Sequence, residues 1–432
     1  MLTASGSESP LTVTDSTALP VDQSPHKKTW QLLPLYLRDA LAHRAESGPK
    51  KFWLFFAAVG FIYLAALFGL DFLRFPIGHD ETHFWPTTIY LFQDGFPSFD
   101  RLRSYNELNT PLPFLVFGVF EHYFHGGILV GRFINLLTSF AVVLLIGAAG
   151  RFSFYSTLCA IGLIACPYFL AVSTHLFTDV MAVAFVVAGV SLYLKNRPGF
   201  AALSFIFAIS CRQYTVVFPI GTILYNLVNW RVSGKHVWWS WLAPAFATAT
   251  LGAWALFFGA MAPRVALENQ YITVGRFFPA HGLYFLTCIG LYFVVIELLL
   301  FWASAGLKDF KITKLAIAIV ISGCFLVYPP IGNLDQHIQP MGYLDLAARL
   351  IMGDKERIAL FWSLAILTCF RFSPLSLAGI LLYLNVALMV MAHIAWDKYA
   401  LPLLAVLWLL KSAGKLDARE PELQSKELIV PS

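Results

Sequence analysis

Two adjacent carboxylic acids follow the first long apolar stretch of this 432-residue chain, in the segment PIGHDETHFW. They are Asp80 and Glu81, and the sequence soon becomes apolar again on their far side. Acidic residues at the edge of a membrane segment are energetically costly, and they commonly mark a water-accessible functional cavity. Partial desolvation at such a boundary makes a carboxylate a better proton acceptor. The pair therefore indicates a general base, with Asp80 as the first candidate.

Two other interpretations of the same segment stay open. Asp80 has the residue type of an N-cap for a predicted helix over 81–93, and capping is compatible with catalysis. His79 and His83 are four residues apart, and HDETH is similar to the zinc-protease motif HExxH. An aspartate occupies the position of the catalytic glutamate, so a metalloprotease is disfavoured. We expect the two histidines to bind a phosphate or a hydroxyl, or to lie among lipid headgroups.

The composition indicates an integral membrane protein. Hydrophobic residues make up 58% of the chain, charged residues only 13%, and the mean hydropathy is +0.68. Soluble domains carry roughly 25% charged residues. These values exclude a disordered protein, and no basic patch suggests binding to nucleic acid. The six cysteines lie in or beside apolar stretches without CxxC or Cys/His metal spacing, which argues against a disulfide framework.

We predict an all-α polytopic membrane protein with about twelve transmembrane helices and juxtamembrane helices in the first outer loop. A spanning helix needs roughly 20 apolar residues, and several of the predicted segments are shorter. The segment 111–125 is predicted to lie along the outer surface as an aromatic amphipathic helix. The predicted spans lie near 52–73, 128–149, 153–172, 180–195, 200–211, 214–230, 238–260, 283–305, 315–328, 358–370, 375–395 and 399–411.

The remaining regions frame a transmembrane domain predicted over 52–411. Residues 1–29 are rich in Ser, Thr, Asp and Pro, which predicts a disordered cytoplasmic tail without the features of a secretory signal. Residues 30–51 are predicted to form an interfacial amphipathic helix. The first outer loop, 74–127, contains the juxtamembrane helices. Residues 412–432 are predicted to form a second cytoplasmic tail.

The distribution of charged residues predicts the orientation. The loops assigned to the cytoplasm carry nine basic residues and one acidic residue, whereas the outer loops carry ten basic and twelve acidic residues. By the positive-inside rule both termini are cytoplasmic and Asp80 lies outside. Counting 111–125 as a span would reverse this asymmetry. Short loops and modest length favour a bacterial inner membrane, with the endoplasmic reticulum membrane as the alternative.

The order of features after the first span resembles the start of the GT-C glycosyltransferase superfamily. Asp80-Glu81 is followed by a loop helix ending in Asp-Gly-Phe (94–96), by Thr-Pro-Leu-Pro from Thr110, and by Gly-x-x-x-Gly-Arg-Phe over 127–133. Arg212-Gln213 adds to the pattern. This combination is most similar to the dolichyl-phosphate-glucose α-1,2-glucosyltransferases, and more loosely to bacterial aminoarabinose and protein-mannosyl transferases.

The resemblance covers roughly 52–230 and a short piece near 393–405. It implies an inverting transfer of a sugar from a polyprenyl-phosphate carrier to an acceptor hydroxyl of a glycan, lipid or protein on the outer or luminal face. Asp80 would be the general base, with Glu81 beside it. No metal or other cofactor is required, although a divalent cation is compatible, because cations of the protein can stabilise the leaving phosphate. Membrane lipid is an expected partner and nucleic acid is not.

The resemblance also implies which residues bind the carrier phosphate or the substrate. Arg212 is the strongest candidate, because a guanidinium makes bidentate contacts with phosphate. Each of three residues could instead have a structural role. Arg212 could be an interfacial arginine, Asp179 could be an N-cap, and Lys398 could form an ion pair with Asp397. The full set is His83, Arg103, Asn109, Asp179, Arg212, Gln213, Asp397 and Lys398.

Further charged residues have open interpretations. Arg132 lies near the start of the second span, where it would approach the carrier phosphate or form an ion pair with Glu121. Glu297 is a rare charge within an apolar segment. The outer loops 261–282 and 329–357 are expected to determine specificity.

Two other functions compete with sugar transfer. A transporter or flippase of lipid-linked sugars would normally show repeated halves with helices broken near mid-depth, and no such repeat is evident. A polysaccharide ligase or polymerase would normally carry its catalytic residues in a large late outer loop, whereas the acidic pair here lies early in the chain.

Overall fold

The structure, a computed structural model, is almost entirely helical. The predicted all-α class is therefore confirmed. The predicted tail 1–29, nearly all of the predicted interfacial helix 30–51, and His79 fall outside the described residues. The structure describes residues 49–78, 80–233, 238–270, 276–302, 312–331, 340–392 and 394–417.

Between residues 49 and 233, the described residues of the chain form ten α-helices. Local sequence explains several of their starts: Ser153 accepts a hydrogen bond from the backbone N–H of Ser156, and Pro167 and Pro198 occupy first turns, where no backbone donor is needed. The helices are α1 (Pro49–Gly69), α2 (Glu81–Phe92), α3 (Phe99–Ser104), α4 (Leu112–Phe124), α5 (Ile128–Ala149), α6 (Phe154–Ile164), α7 (Pro167–Thr174), α8 (Asp179–Leu194), α9 (Pro198–Cys211) and α10 (Val217–Ser233).

The described residues from 238 to 417 add nine α-helices and two short strands. A π-helical turn over Gly290–Val295 joins α13 to α14. The strands β1 (Pro340–Met341) and β2 (Ala395–Trp396) pair in parallel. The helices are α11 (Trp239–Phe258), α12 (Arg264–Asn269), α13 (Pro279–Ile289), α14 (Ile296–Phe301), α15 (Ile312–Val327), α16 (Tyr343–Ile351), α17 (Asp354–Arg371), α18 (Leu377–Met389) and α19 (Leu401–Ser412).

In the part of the chain that the structure describes, four helices are long and apolar enough to cross a membrane: α1, α5, α11 and the continuous helix from Pro279 to Phe301. The pair α6 and α7, bent by 75° at the break before Pro167, would count as a fifth. Five shorter apolar helices accompany them, namely α4, α8, α9, α15 and α18. The chain is thus built as a membrane protein. The predicted count of about twelve spans is not confirmed, because many apolar segments form helices well below the spanning length.

The centre of the molecule is α19. All of its residues from Leu401 to Ser412 are buried, although it has only twelve of them. It packs against α5, α6, α8 and α18, and Gly162 of α6 allows a close approach of Trp408, since a Cβ there would lie 2.5 Å from the indole ring. The segment just before α19, which carries Asp397 and Lys398, is thereby held at a defined place in the fold.

A buried charge network ties α19 to two other helices. The Glu297 carboxylate accepts hydrogen bonds from the Arg371 guanidinium, at 2.5 and 2.8 Å, and from the Lys411 ammonium, at 2.8 Å. Arg371 also pairs with Asp417, whose side chain is 43% exposed. Glu297 was predicted only as an isolated intramembrane charge, and its partners explain how it is tolerated.

Glu297→Gln is expected to lower the free energy of unfolding by about 3–5 kcal/mol, because Arg371 and Lys411 would keep their buried charges without the central anion. Asp417→Asn is the matched control in the same network. Its exposed pair should contribute no more than about 1 kcal/mol. Unfolding of the purified proteins in detergent measures both, and equal losses for the two variants would contradict the assignment.

Candidate functional site

Five segments from distant parts of the chain meet in one charged cluster. They are the start of α2, the loop 105–111, the start of α8, the 3-10 turn Gln213–Val216 and the segment 395–400. We call the cluster the outer charge cluster, after the side of the membrane predicted for Asp80 from the sequence, and define it as Asp80, Glu107, Asp179, Arg212 and Lys398. Beside it lies a cavity of about 340 Å³, whose wall includes Asp80 and Lys398. The resemblance-based predictions named four of these five residues.

Asp80 forms an ion pair with Lys398 across the wall of the cavity. It occupies the N-cap position of α2, yet its side chain makes no capping hydrogen bond. The Asp80 side chain is 20% exposed, whereas that of Lys398 is only 4% exposed. The carboxylate therefore remains accessible from the cavity. The predicted pairing of Lys398 with Asp397 does not occur.

Lys398 is enclosed by aromatic rings and acids. Its ammonium lies 3.8 Å from the centroid of the Trp396 ring and 5.3 Å from that of Phe177. Burial lowers the pKa of Lys398, and the carboxylates of Asp179 and Asp80 act in the opposite direction. A cation–π contact and a carboxylate partner together hold an ammonium in an otherwise unfavourable site.

Both carboxylate oxygens of Glu81 accept hydrogen bonds from other parts of the fold. Its carboxylate receives bidentate hydrogen bonds from Arg132, at 2.8 and 2.6 Å, and a further one from the backbone N–H of Leu176, at 2.7 Å. Arg132 also donates to the backbone carbonyls of Leu73 and Phe75. Both side chains are buried. The pair holds the end of α1 against α2 and α5.

Glu121 does not pair with Arg132, contrary to one of the two interpretations from sequence. Its carboxylate instead accepts a hydrogen bond from the backbone N–H of Gly127, at 2.8 Å. Arg132 is in turn saturated by Glu81 and by carbonyl oxygens. It therefore offers no donor to a carrier phosphate in this conformation.

Asp179 and Arg212 form the second ion pair of the outer charge cluster. The guanidinium donates to the Asp179 carboxylate at 2.5 Å and also to the side-chain oxygen of Asn109. Tyr214 donates to the other Asp179 oxygen at 3.2 Å. Thr178, not Asp179, occupies the N-cap position of α8, so the predicted capping role is wrong.

Arg212 retains one unsatisfied donor. Its Nε atom is buried and has no hydrogen-bond partner among the described residues. Buried donors are rarely left unpaired unless a ligand or an unseen water completes them. The neighbouring Gln213 side chain donates to the carbonyl of Leu108 at 2.6 Å, and Thr110 donates to the carbonyl of Ile209 at 2.8 Å. These two bonds fix the loop 105–111 against α9.

Glu107 is the member of the outer charge cluster that sequence reasoning missed. Burial raises its pKa to about 7, an effect opposed by the positive charge of Arg212 and reinforced by the negative charge of Asp80. A buried carboxylate with a raised pKa in a cleft is typical of functional sites. Its only sequence signal is its place two residues before Asn109, within the loop that the resemblance singles out.

Asp397 lies behind the cavity wall, where it holds the start of α16. It is buried and accepts hydrogen bonds from the hydroxyls of Tyr284 and Tyr292, each at 2.6 Å, and from the backbone N–H of Leu344 at 3.0 Å. Burial raises the pKa of Asp397, whereas these hydrogen bonds lower it. The carboxylate thus anchors the start of α16 and does not face the ligand space.

The cavity combines these charges with aromatic surfaces. The rings of Tyr168 and Tyr343 lie with centroids 4.3 Å apart, and the indole N–H of Trp396 donates to the Tyr168 hydroxyl at 2.9 Å. From α16, Asp345 and Arg349 complete the wall and pair with each other at 2.7 Å. The aromatic rings offer flat apolar surfaces, and the charged side chains offer a few hydrogen-bonding groups. This combination suits a small polar ligand that also has an apolar face.

Two of the predicted residues lie apart from the outer charge cluster. His83 is exposed on α2 and does not line the cavity. Arg103 is exposed on α3, and its guanidinium lies 4.8 Å from the centroid of the Phe257 ring. The backbone N–H of His83 donates to the carbonyl of Asp80 at 3.0 Å, but neither the His83 side chain nor that of Arg103 lines the cavity.

The described part of the chain contains no group of His, Cys, Asp or Glu side chains that could hold a metal ion. The cationic side chains on the cavity wall are those of Lys398 and Arg349, and Arg212 lies in the neighbouring cluster. No known protein family, no curated protein and no solved structure matches this chain.

Proposed function

We propose that this chain is a membrane glycosyltransferase of the GT-C type that moves a sugar from a polyprenyl-phosphate carrier to an acceptor hydroxyl. The observation that carries the proposal is the partly exposed Asp80 carboxylate, paired with Lys398 on the wall of an aromatic-lined cavity. A base, a cation and aromatic faces within one 340 Å³ space are the parts that such a transfer needs.

Each of these groups has a role in the proposed reaction. The acceptor oxygen attacks the anomeric carbon as Asp80 removes its proton, and the bond to the carrier phosphate breaks on the opposite side with inversion. The leaving phosphate carries the bonding electron pair. We assign the stabilisation of its charge to Lys398 on the cavity wall and to the unsatisfied Nε of Arg212, which lies in the neighbouring cluster.

Glu81 has no part in this chemistry, because both of its oxygens are held by Arg132 and by backbone donors. We assign it a supporting role: it fixes the start of α2 and hence the position of Asp80. The rings of Trp396, Tyr168 and Tyr343 provide flat apolar faces for a sugar ring.

We propose that both termini lie in the cytoplasm and that the site faces the other side of the membrane. Basic residues are concentrated in the loops assigned to the cytoplasm, and Lys50 and Lys51 stand directly at the start of α1. This asymmetry supports cytoplasmic termini and a site on the outer or luminal face. We favour a bacterial inner membrane as the location.

The test uses the purified full-length protein in liposomes that contain polyprenyl phosphates carrying radiolabelled sugars, together with a mixed acceptor extract. We expect free polyprenyl phosphate and a labelled glycoside to form together. If the intact labelled carrier crossed the bilayer without loss of its sugar, a flippase would replace the proposal. If a panel of hexosyl and pentosyl carriers gave neither result, the proposal would be overturned.

A further inference from the structure

Asp345 is an acid on the cavity wall whose carboxylate is only half satisfied. The residue is 3% exposed, and it lines the cavity together with Asp80 and Lys398. Its Oδ2 forms an ion pair with the Nε of Arg349 at 2.7 Å. Its Oδ1 is buried and has no hydrogen-bond partner among the described residues. A buried acceptor without a partner is costly, which points to a donor that a ligand or a water molecule supplies.

Arg357 does not supply the missing hydrogen bond. Its Nη1 lies 3.7 Å from the Oδ1 of Asp345, which is beyond hydrogen-bond distance. Its Nη2 donates instead to the carboxylate of Asp354 at 3.0 Å. Arg357 therefore neutralises part of the charge of Asp345 without occupying the acceptor position of Oδ1.

The start of α16 holds Asp345 at a fixed place on this wall. The backbone N–H of Leu344, the preceding residue, donates to the buried Asp397 carboxylate at 3.0 Å. Gly342 makes this approach possible, because a Cβ at that position would overlap the same carboxylate. Asp397 directly precedes Lys398 in the chain. One short segment thus positions both the Lys398 ammonium and the Asp345 carboxylate.

We propose that Asp345 is a sugar-binding residue, whose Oδ1 accepts a hydrogen bond from a hydroxyl group of the sugar in the cavity. An ionised carboxylate only accepts hydrogen bonds, and such charge-assisted bonds are roughly twice as strong as neutral ones. The rings of Tyr168 and Tyr343, on the same wall, offer apolar faces to the sugar ring. The inference rests on the proposed function and names the group that would select the sugar.

This contact would make the site selective for one hydroxyl group. A site built to hydrogen-bond a hydroxyl rejects the analogue that lacks it, because the buried polar group is then left unpaired. The hydroxyl concerned is not a reacting group, so its bond to Asp345 is present before and during the reaction. Loss of such a contact raises KM more than it lowers kcat.

The first experiment measures sugar binding without transfer. Saturation-transfer NMR follows methyl glycosides of glucose, mannose, galactose and arabinose added to the purified full-length protein in liposomes. We expect at least one of them to bind, and Asp345→Asn to weaken its binding about 10–100-fold, the loss typical of a hydrogen bond to a charged group. In the variant the amide oxygen would face Arg349, which leaves an N–H donor at the position of Oδ1.

Asp354→Asn is the matched control. Asp354 also pairs with Arg357, but its side chain is 75% exposed and does not line the cavity. This variant makes the same chemical change beside the same guanidinium. It should therefore bind the glycoside as the natural protein does.

A second measurement changes the sugar, so its result does not depend on the folding of a variant. Each hydroxyl of the bound glycoside is replaced in turn by hydrogen and by fluorine, neither of which can donate a hydrogen bond. We expect one position at which both replacements weaken binding to the natural protein. The same replacements should have no effect in Asp345→Asn, because the contact is already lost there.

Transfer kinetics identify which sugar makes the contact and separate this inference from the proposed function. In Asp345→Asn, a higher KM for the polyprenyl-phosphate donor assigns the hydroxyl to the transferred sugar, and a higher KM for the acceptor assigns it to an acceptor glycan. Binding that depends on Asp345 without any transfer would overturn the proposed function and retain the sugar site. If no glycoside binds the natural protein, or if Asp345→Asn binds it equally well, the inference is overturned.

Discussion

Asp80→Asn is expected to lower kcat for sugar transfer by about 10²–10⁴-fold, the contribution typical of a positioned general base. Asparagine keeps the shape of the side chain and removes its ability to take up the proton. The measurement is the initial rate of polyprenyl phosphate release in liposomes, at saturating donor. Insertion and yield should match those of the natural protein.

The controls for this variant address charge and stability separately. Asp100→Asn makes the same chemical change at an exposed position in the first turn of α3, and it should leave the rate unchanged. Asp80→Asn also leaves the Lys398 ammonium without its partner. The double variant Asp80→Asn/Lys398→Met removes both charges and should regain thermal stability without regaining transfer. A natural rate in Asp80→Asn would exclude the general-base assignment.

Arg212→Gln is expected to lower the free energy of unfolding by about 3–5 kcal/mol, the usual cost of removing one partner of a buried ion pair. Asp179 would remain buried, with the hydroxyl of Tyr214 as its only remaining side-chain donor in the described part of the chain. Unfolding in detergent, followed by heat or denaturant, measures the loss. Sugar transfer should be lost as well.

A double variant separates the structural role of Arg212 from its proposed contact with phosphate. Arg212→Gln/Asp179→Asn removes both charges, so stability should largely return while transfer stays absent. Arg103→Gln is the control, because this exposed arginine stacks on Phe257 and should contribute about 0.5–1 kcal/mol. Normal transfer by the double variant would show that Arg212 does not bind the leaving phosphate.

Most residues of the candidate site could be predicted from the sequence. Asp80 was identified because acidic residues at the boundary of an apolar segment are rare, and Asp179, Arg212 and Lys398 were identified through the motif resemblance. Which of these residues form ion pairs with each other could not be predicted from the sequence. Asp80 and Lys398 are 318 positions apart, and Arg132 has its partner at Glu81, 51 positions away, although Glu121 is closer along the chain.

Glu107 shows why residue type alone was insufficient to identify every residue of the candidate site. In the sequence it is an ordinary acid in a polar loop, a setting in which most carboxylates are solvated. It becomes notable only because Gln213 and Thr110 fasten this loop against α9, which buries the carboxylate beside Arg212. Conversely, His83 and Arg103 looked suitable by type, and the fold leaves them exposed.

By itself the sequence determined that this is a helical membrane protein with scarce charges at the edges of its apolar segments, because composition and apolar length report each segment's preference for lipid or water. Only the tertiary structure decided which charges pair, which helices reach spanning length, and which acid of a polar loop is buried near Arg212. Those outcomes depend on the packing of helices such as α19 against distant neighbours. Contacts of this kind are set by the three-dimensional arrangement of the chain, and no local pattern encodes them.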